Sequence, residues 1–292
     1  MKTELRLKFE QNLQKILDLY WNENVSVKEI AIIVDISEHT LKRYMTGMHL
    51  LRRPGQSSRK YTVNEDFFEN IDTEKKAYWL GVLYADGCVM HIRNTKYIVF
   101  SAVDKEWLEQ YKNDISFTGP ILTEHHRKYN KDIYKVKCVS KKMYSDLADK
   151  GVVERKSNIL DFPECVPDSL IPHFIRGYFD GDGSVGVYKN TDRGDWKRLH
   201  VSITSGSLAF LESIKTWMLE HGIFPIGKPV KRKGRDVYSL NLSLIAGLRL
   251  RDCIYKNTTV FLQRKHDKFF SVDYCKRTFN DYNRASQEGM KE

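Results

Sequence analysis

From Leu5 to Tyr20 the apolar side chains Leu5, Leu7, Phe9, Leu13, Ile16, Leu17 and Tyr20 recur mostly at helical spacing with charged residues between them, which predicts a first helix. The next stretch, VSVKEIAIIVDISEHTLKRYMTG, predicts a helix over 28–34, a break at 35–37 and a second helix over 38–45 opened by Ser37 as N-cap. This is the layout of a helix-turn-helix, with Ala31 as the small residue where the helices cross and Ile36 plugging the turn. An ordinary helical hairpin has the same pattern. The second helix offers Glu38, His39, Thr40, Lys42 and Arg43 on exposed faces, residue types that reach base edges and phosphates. The pattern breaks at LRRPGQSSRK (51–60), where Pro, Gly and Ser predict a flexible linker, and Arg52 and Arg53 are placed to follow a phosphate backbone.

Beyond the linker the pattern repeats. AYWLGVLYADGCV (77–89) answers HFIRGYFDGDGSV (173–185), each an apolar helix ending in Asp-Gly. VFSAVDKEWLEQYKNDI answers HVSITSGSLAFLESIKTWM, DIYKVKCVSKKMYSDL answers DVYSLNLSLIAGLRL, and VVERK answers FLQRK. Four matches in one order predict two copies of an αββαββ unit. The expected organisation is a helical domain at 1–50, a basic linker at 51–72, repeats at 73–165 and 166–275, and a polar tail at 276–292.

Composition narrows the partner. The chain has 292 residues, 41% of them hydrophobic, enough for roughly two cores. A net charge of +10 favours a polyanionic partner. Five scattered cysteines, with no CxxC pair, point to neither a zinc site nor a disulfide framework. No apolar run of transmembrane length and no signal-peptide pattern is present, so the expectation is an intracellular protein without membrane association.

The repeated motif carries the chemistry. Gly81 with Ala85, and Gly177 with Gly181, make a smooth groove on one face of each helix. Two such faces pack almost backbone to backbone, as in small-xxx-small helix pairs. Parallel packing then brings two helix C-termini together, each with an aspartate and a glycine: Asp86–Gly87 and Asp182–Gly183. The glycine suits a left-handed C-terminal cap. Two carboxylates and two negative dipole ends repel, and a divalent metal, Mg²⁺ or Mn²⁺, held by those carboxylates offsets them. Metal so placed activates water and stabilises the oxygens of a phosphodiester. A single Asp-Gly is only a common turn; the second copy makes the reading specific.

WLGVLYADG (79–87) and IRGYFDGDG (175–183) resemble the paired signature of LAGLIDADG homing endonucleases in their single-chain, pseudo-symmetric form, over about residues 73–275. The resemblance implies an α+β fold of two αββαββ units forming a DNA-binding β-saddle, here behind an all-α helix-turn-helix domain. It implies that Asp86 and Asp182 bind the catalytic metal and that Gly81 and Gly177 pack the helices. The earlier acid of the signature is Asp180 in the second copy and Tyr84 in the first, a departure at a position that is not the principal metal ligand. Members also place a lysine late in each repeat near the scissile phosphate; Lys156 and Lys265 occupy the matching places and are the expected catalytic lysines, polarising water or stabilising developing charge.

Strand alternation supplies a second surface. Tyr134, Val136 and Cys138 point one way and Lys135 and Lys137 the other; Arg198, His200 and Ser202 oppose Leu199, Val201 and Ile203. This resembles the family's saddle, whose strands enter the major groove, and VKRKGRDVY (230–238) puts Lys231, Arg232, Lys233 and Arg235 at a hairpin tip near phosphates. The expected activity is site-specific double-strand cleavage across the minor groove by a monomer on a long asymmetric DNA target, leaving a short 3′ overhang, in bacterial or phage-infected cytoplasm or another DNA-containing compartment. The competing readings are a non-cleaving transcriptional regulator on the same fold and an intron RNA maturase.

Overall fold

The computed structural model describes residues 4–23, 25–51, 60–127, 130–190 and 196–272. The chain divides into two compact units, Met1–Thr62 and Val63–Glu292.

In the first unit, α1 (Glu4–Gln11) and α2 (Leu13–Leu17) run into a π-helical turn at Asp18–Asn22, so the first predicted helix is interrupted at Asn12. Then come α3 (Val27–Ile33) and α4 (Glu38–Gly47). Ser26 and Glu29 form a reciprocal capping box on α3, and the Ser37 side chain accepts from the Thr40 amide to start α4. These caps satisfy amides that have no partner inside the helix. The turn between the helices has Asp35 at φ 51°, and Lys8 donates to its carboxylate (2.5 Å) and its carbonyl (2.9 Å). Ala31 and Ile36 are buried with Phe9, Ile16, Tyr20, Ile30, Val34, Leu41 and Met45.

In the second unit, α5 (Glu74–Ala85) is followed by β1 (Gly87–Ile92), β2 (Thr95–Ala102), α6 (Lys105–Asp114), β3 (Leu122–His126), β4 (Lys131–Val139) and α7 (Lys141–Asp149). The order repeats as α8 (Ile171–Asp182), β5 (Gly183–Asn190), β6 (Trp196–Ser205), α9 (Leu208–Glu220), β7 (Ile226–Lys231), β8 (Tyr238–Leu242) and α10 (Leu244–Ile254), after which α11 (Gln263–Phe270) is added. The strands form two antiparallel four-stranded sheets of equivalent order, β1-β2-β4-β3 and β5-β6-β8-β7. The fold is therefore α+β with two pseudo-symmetric halves, and each repeat is αββαββα, one helix longer than the pattern predicted. Ser140 and Ser243 cap that last helix in each half. The expected linker also shortens: Phe67, Phe68 and Ile71 are buried in the core of the second unit, because three large apolar side chains in a row of ten are too costly to leave in water. Arg52, Arg53 and the tail at 276–292 lie outside the described residues.

The centre of the second unit is the α5–α8 pair. Building a Cβ on Gly81 drives it into the Phe174 carbonyl and to 2.8 Å from the Tyr178 nitrogen; one on Gly177 meets the Tyr78 carbonyl and comes to 2.9 Å from the Val82 nitrogen. The two helices touch through their main chains, and only glycine permits it. Alanine stabilises an isolated helix by about 1 kcal/mol over glycine, but overpacking costs typically about 1–3 kcal/mol and rises when the obstacle is backbone. Gly81→Ala is thus expected to lower Tm by about 4–8 °C in a thermal melt, reversing the sign that helix propensity alone gives.

Candidate active site at the paired helix ends

α5 is opened by Thr73 and closes on Asp86, whose amide donates to the Val82 carbonyl at 2.8 Å. β1 begins at the next residue. α8 runs through Asp182 and gives way to β5 at Gly183. The glycines after the acids are not left-handed caps: Gly183 sits at φ −80°, ψ 156°, and Gly87 is not among the positive-φ residues. They are glycine for lack of room. A Cβ on Gly87 would come to 2.6 Å from Leu83 Cα, and one on Gly183 to 2.6 Å from the Phe179 ring. The sharp passage from helix to strand leaves no space for a side chain, so Asp86 stands just past the end of α5 and Asp182 is the last residue of α8.

The packing brings the acids to one place. A Cβ on Gly181 would lie 3.1 Å from Asp86 Oδ2, so the Asp86 carboxylate rests against the last turn of α8. Asp86 is exposed and Asp182 half-buried, yet protein crowds densely around both. Desolvation, followed by repulsion from Asp182, raises Asp86 to about 6. Burial also raises Asp182, against the opposing pull of Lys265, Lys156 and the Tyr178 hydroxyl. Two carboxylates that resist ionising together are the expected electrostatics of a site suited to a cation. The donors are hard oxygens, which suits Mg²⁺ or Mn²⁺. Among the described residues no group of three His, Cys, Asp or Glu gathers around one point; Asp86 and Asp182 are two carboxylates, and Mg²⁺ commonly takes one or two alongside phosphate and water.

Lys156 and Lys265 are buried, 6% and 7% exposed, and both reach the glycine after an acid. Lys156 donates to the Gly87 carbonyl. Lys265 lies within hydrogen-bond distance of the carbonyls of Phe179 (2.8 Å), Asp180 (2.6 Å), Gly181 (2.9 Å) and Gly183 (2.6 Å). It closes the C-terminus of α8, where carbonyls lack partners. Desolvation pulls Lys265 down to about 8 while Asp180, Asp86 and Asp182 hold it up; burial likewise lowers Lys156. The matching positions of the two lysines agree with the repeat, but in this state both face main-chain carbonyls.

Three further elements had weaker sequence signals. Arg264, beside Lys265, donates from Nε to both Asp104 oxygens (3.1 and 2.9 Å) across the two halves, and its charge reaches Asp86; the RK pairs in VVERK and FLQRK were its only trace. Asp180, 1% exposed, accepts from the Tyr78 hydroxyl, the Tyr255 hydroxyl and the Leu262 amide, each at 2.8 Å, and Trp107 donates to the same Tyr78 oxygen at 2.8 Å. Its counterpart Tyr84 donates to the Lys150 carbonyl. The earlier-acid position is thus structural in both copies. Finally, the β3–β4 hairpin carries exposed Arg127 and Lys131, the first-half counterpart of the basic tip read in the second half.

The sheet surface largely follows alternation. Val136 and Cys138 are buried, Tyr134 and Lys135 half-buried and Lys137 exposed. Lys135 pairs with Glu124 at 2.8 Å, and Lys137 sits 4.1 Å from the Tyr97 ring centroid. His200 is exposed, whereas Ser202 is buried, its row Ser184–Ser202–Asn241 lying in the middle of the sheet. Arg198 is on β6 opposite Tyr188; its side chain lies outside the described residues. Lys231, Arg232, Lys233 and Arg235 are exposed at the β7–β8 turn, where Lys231 pairs with Asp236 at 2.8 Å. In the first unit Lys42 and Arg43 are exposed on α4.

Residues 170–259 match the LAGLIDADG-like domain family. A probable translation initiation factor IF-2 of Methanocaldococcus jannaschii is 27% identical over 177 residues, covering 56% of this chain and 13% of that protein. An uncharacterized protein of the same organism is 27% identical over 154 residues, covering 52% of this chain and 56% of its own length. The chain thus spans 13% and 56% of these two relatives. Among solved structures, mesophilic variants of the homing endonuclease I-DmoI align at 15% identity and TM-score 0.46, over 69% of this chain and 98% of that one. The meganuclease I-SmaMI bound to uncleaveable DNA aligns at 12% identity and TM-score 0.47, over 74% and 94%. The homing endonuclease I-GzeII in complex with its DNA target aligns at 14% and 0.42, over 72% and 96%. Among the described residues no helix is long and apolar enough to cross a membrane.

Proposed function

We propose that this chain, which carries a LAGLIDADG-like domain in its second half and repeats that topology in its first, is a divalent-metal-dependent endonuclease that hydrolyses one phosphodiester in each strand of a DNA duplex at a specific site. The observation that carries the reading is the meeting of Asp86 and Asp182 at the ends of two helices in main-chain contact. A divalent cation held by these two carboxylates supplies an activated water and neutralises charge on the phosphate. The chain's own part is to hold both acids at fixed places, with Lys156 and Lys265 tying down the turn behind each. The exposed Lys137, His200 and the β7–β8 tip contact the duplex. The first unit acts as a helix-turn-helix that presents His39, Lys42 and Arg43 from α4 to DNA and lengthens the site.

Incubation of the protein and Mg²⁺ with a plasmid bearing the uninterrupted locus around its gene tests the reading. Linearisation supports it; retardation without cutting replaces it with a regulator, and preference for intron RNA with a maturase. Binding measured without metal is expected to fall steeply with salt as counterions leave the phosphates, and a flat response would remove phosphate contact from the account.

The pH response follows from Asp86. Its folded value, raised to about 6, exceeds the unfolded one, so this group favours the fold below that pH and opposes it as pH rises through it. Cations compete with the same proton. Stabilisation by Mg²⁺, read as the difference in Tm with and without the ion, is therefore expected to be full at pH 7.5 and to vanish near pH 5.

A further inference from the structure

The two hairpins that leave the acids differ in length. β1 begins directly after Asp86 and pairs with β2 over six positions, from Gly87 opposite Phe100 to Ile92 opposite Thr95. β5 begins directly after Asp182 and pairs with β6 over eight, from Gly183 opposite Ile203 to Asn190 opposite Trp196. Each acid is thus a common origin from which an arm is measured. At about 3.3 Å per residue the paired part of the first arm is roughly 20 Å long and that of the second roughly 26 Å. DNA rises about 3.4 Å per base pair, so the surplus matches about two base pairs. The outward row of each arm is accessible: Cys88 and Ile92 in the first and Ser184 and Tyr188 in the second are exposed, Ile92 by 50% and Tyr188 by 61%.

Resting on the DNA reading above, we infer that the second half engages the duplex about two base pairs further from the cut than the first, so that the target has arms of unequal length. Both arms start at the residue directly after an acid, so the surplus lies at the far end of the second arm. It therefore affects recognition without moving the cut.

A missing-nucleoside interference scan on the cleavable duplex, with the full chain in metal-free buffer, tests this. Sensitive positions contiguous with the cut are expected to run two further on one flank, each gap there weakening binding about tenfold. The second arm is then shortened by replacing residues 189–197 with Asn-Gly, a pair suited to a two-residue hairpin turn. This leaves Tyr188 opposite Arg198 as the last of six pairs. The variant is expected to lose sensitivity at the two outermost positions of the longer flank alone and, with Mg²⁺, to cut the same bonds. Equal flanks in the wild type, or an unchanged profile in a variant that melts like the wild type, overturns the inference while cleavage stands. Should the variant misfold, the wild-type profile still decides. A wild type that neither binds nor cuts any duplex removes the endonuclease reading as well.

Discussion

Asp86→Asn and Asp182→Asn, made singly, are expected to abolish double-strand cleavage while raising thermal stability in metal-free buffer. Asparagine keeps the shape of each side chain and removes its charge. In the apo protein that charge is a liability: burial and mutual repulsion raise Asp86 to about 6, and burial raises Asp182 also. Neutralising one acid relieves both, and Tm should rise by about 3 °C. In the presence of Mg²⁺ the order inverts, because the wild type gains the ion's binding energy and the variants do not. Cleavage should fall on the order of a thousand-fold, the scale at which charge stabilisation of a transition state is lost, with metal-free DNA binding retained. Supercoiled plasmid assays and melts with and without Mg²⁺ read both effects. Full cleavage by either variant would exclude that residue as a ligand, and a metal-independent drop in Tm would mean that the acids serve the fold.

The second large effect is on stability. Arg176 is 0% exposed, and its guanidinium donates to the carbonyls of Val260 (3.1 Å) and Ile254 (2.8 Å) and to Glu74 (2.7 Å), with His173 Nδ1 at 2.6 Å. It also lies 5.1 Å from the Tyr78 ring centroid. Glu74 opens α5 and in turn accepts from the Thr259 amide and hydroxyl, both at 2.8 Å. One buried cation therefore joins α8, the start of α5 and the segment leading to α11. Arg176→Met fills the space but strands two carbonyls and a partly buried carboxylate, and removing one member of such a pair costs about 3–5 kcal/mol. Tm is expected to drop by about 10 °C. Adding Glu74→Leu should recover part of the loss, since the stranded charge is then gone; a double variant that loses the full sum of the two single effects would show that the ion pair carries no coupling.

Much of this site was legible because its signals are local. Gly81, Gly177, Asp86 and Asp182 sit inside two matching motifs, and a glycine costly to a helix announces close packing wherever it is kept. The strand faces were legible by alternation, as with Val136 and Cys138 against Lys137. The remainder depends on contacts distant in sequence. Nothing near Arg176 says that Glu74, 102 positions earlier, will meet it, and nothing near Asp180 says that Tyr78, Tyr255 and Leu262 will close over it. Ser202 alternates onto the polar face, yet its neighbours in the sheet bury it. The Asp-Gly pairs suggested left-handed caps because that is the commonest use of glycine after a helix; here the strand starts at once, and steric room rather than φ selects the residue.

The seam also settles whether the halves remain interchangeable. At the position matching Tyr78 the second copy has Phe174, and at the position matching Asp180 the first has Tyr84. One side of the pseudo-dyad is joined by a hydrogen bond from Tyr78 to Asp180, the other by the edge of Phe174 against Tyr84, centroids 4.9 Å apart. Two second halves docked together would set Asp180 against phenylalanine twice, and two first halves would have no carboxylate to receive Tyr78. Descended from like parts, the pair has become heterotypic: either member, expressed alone, should stay monomeric and then recruit its complement in preference to itself.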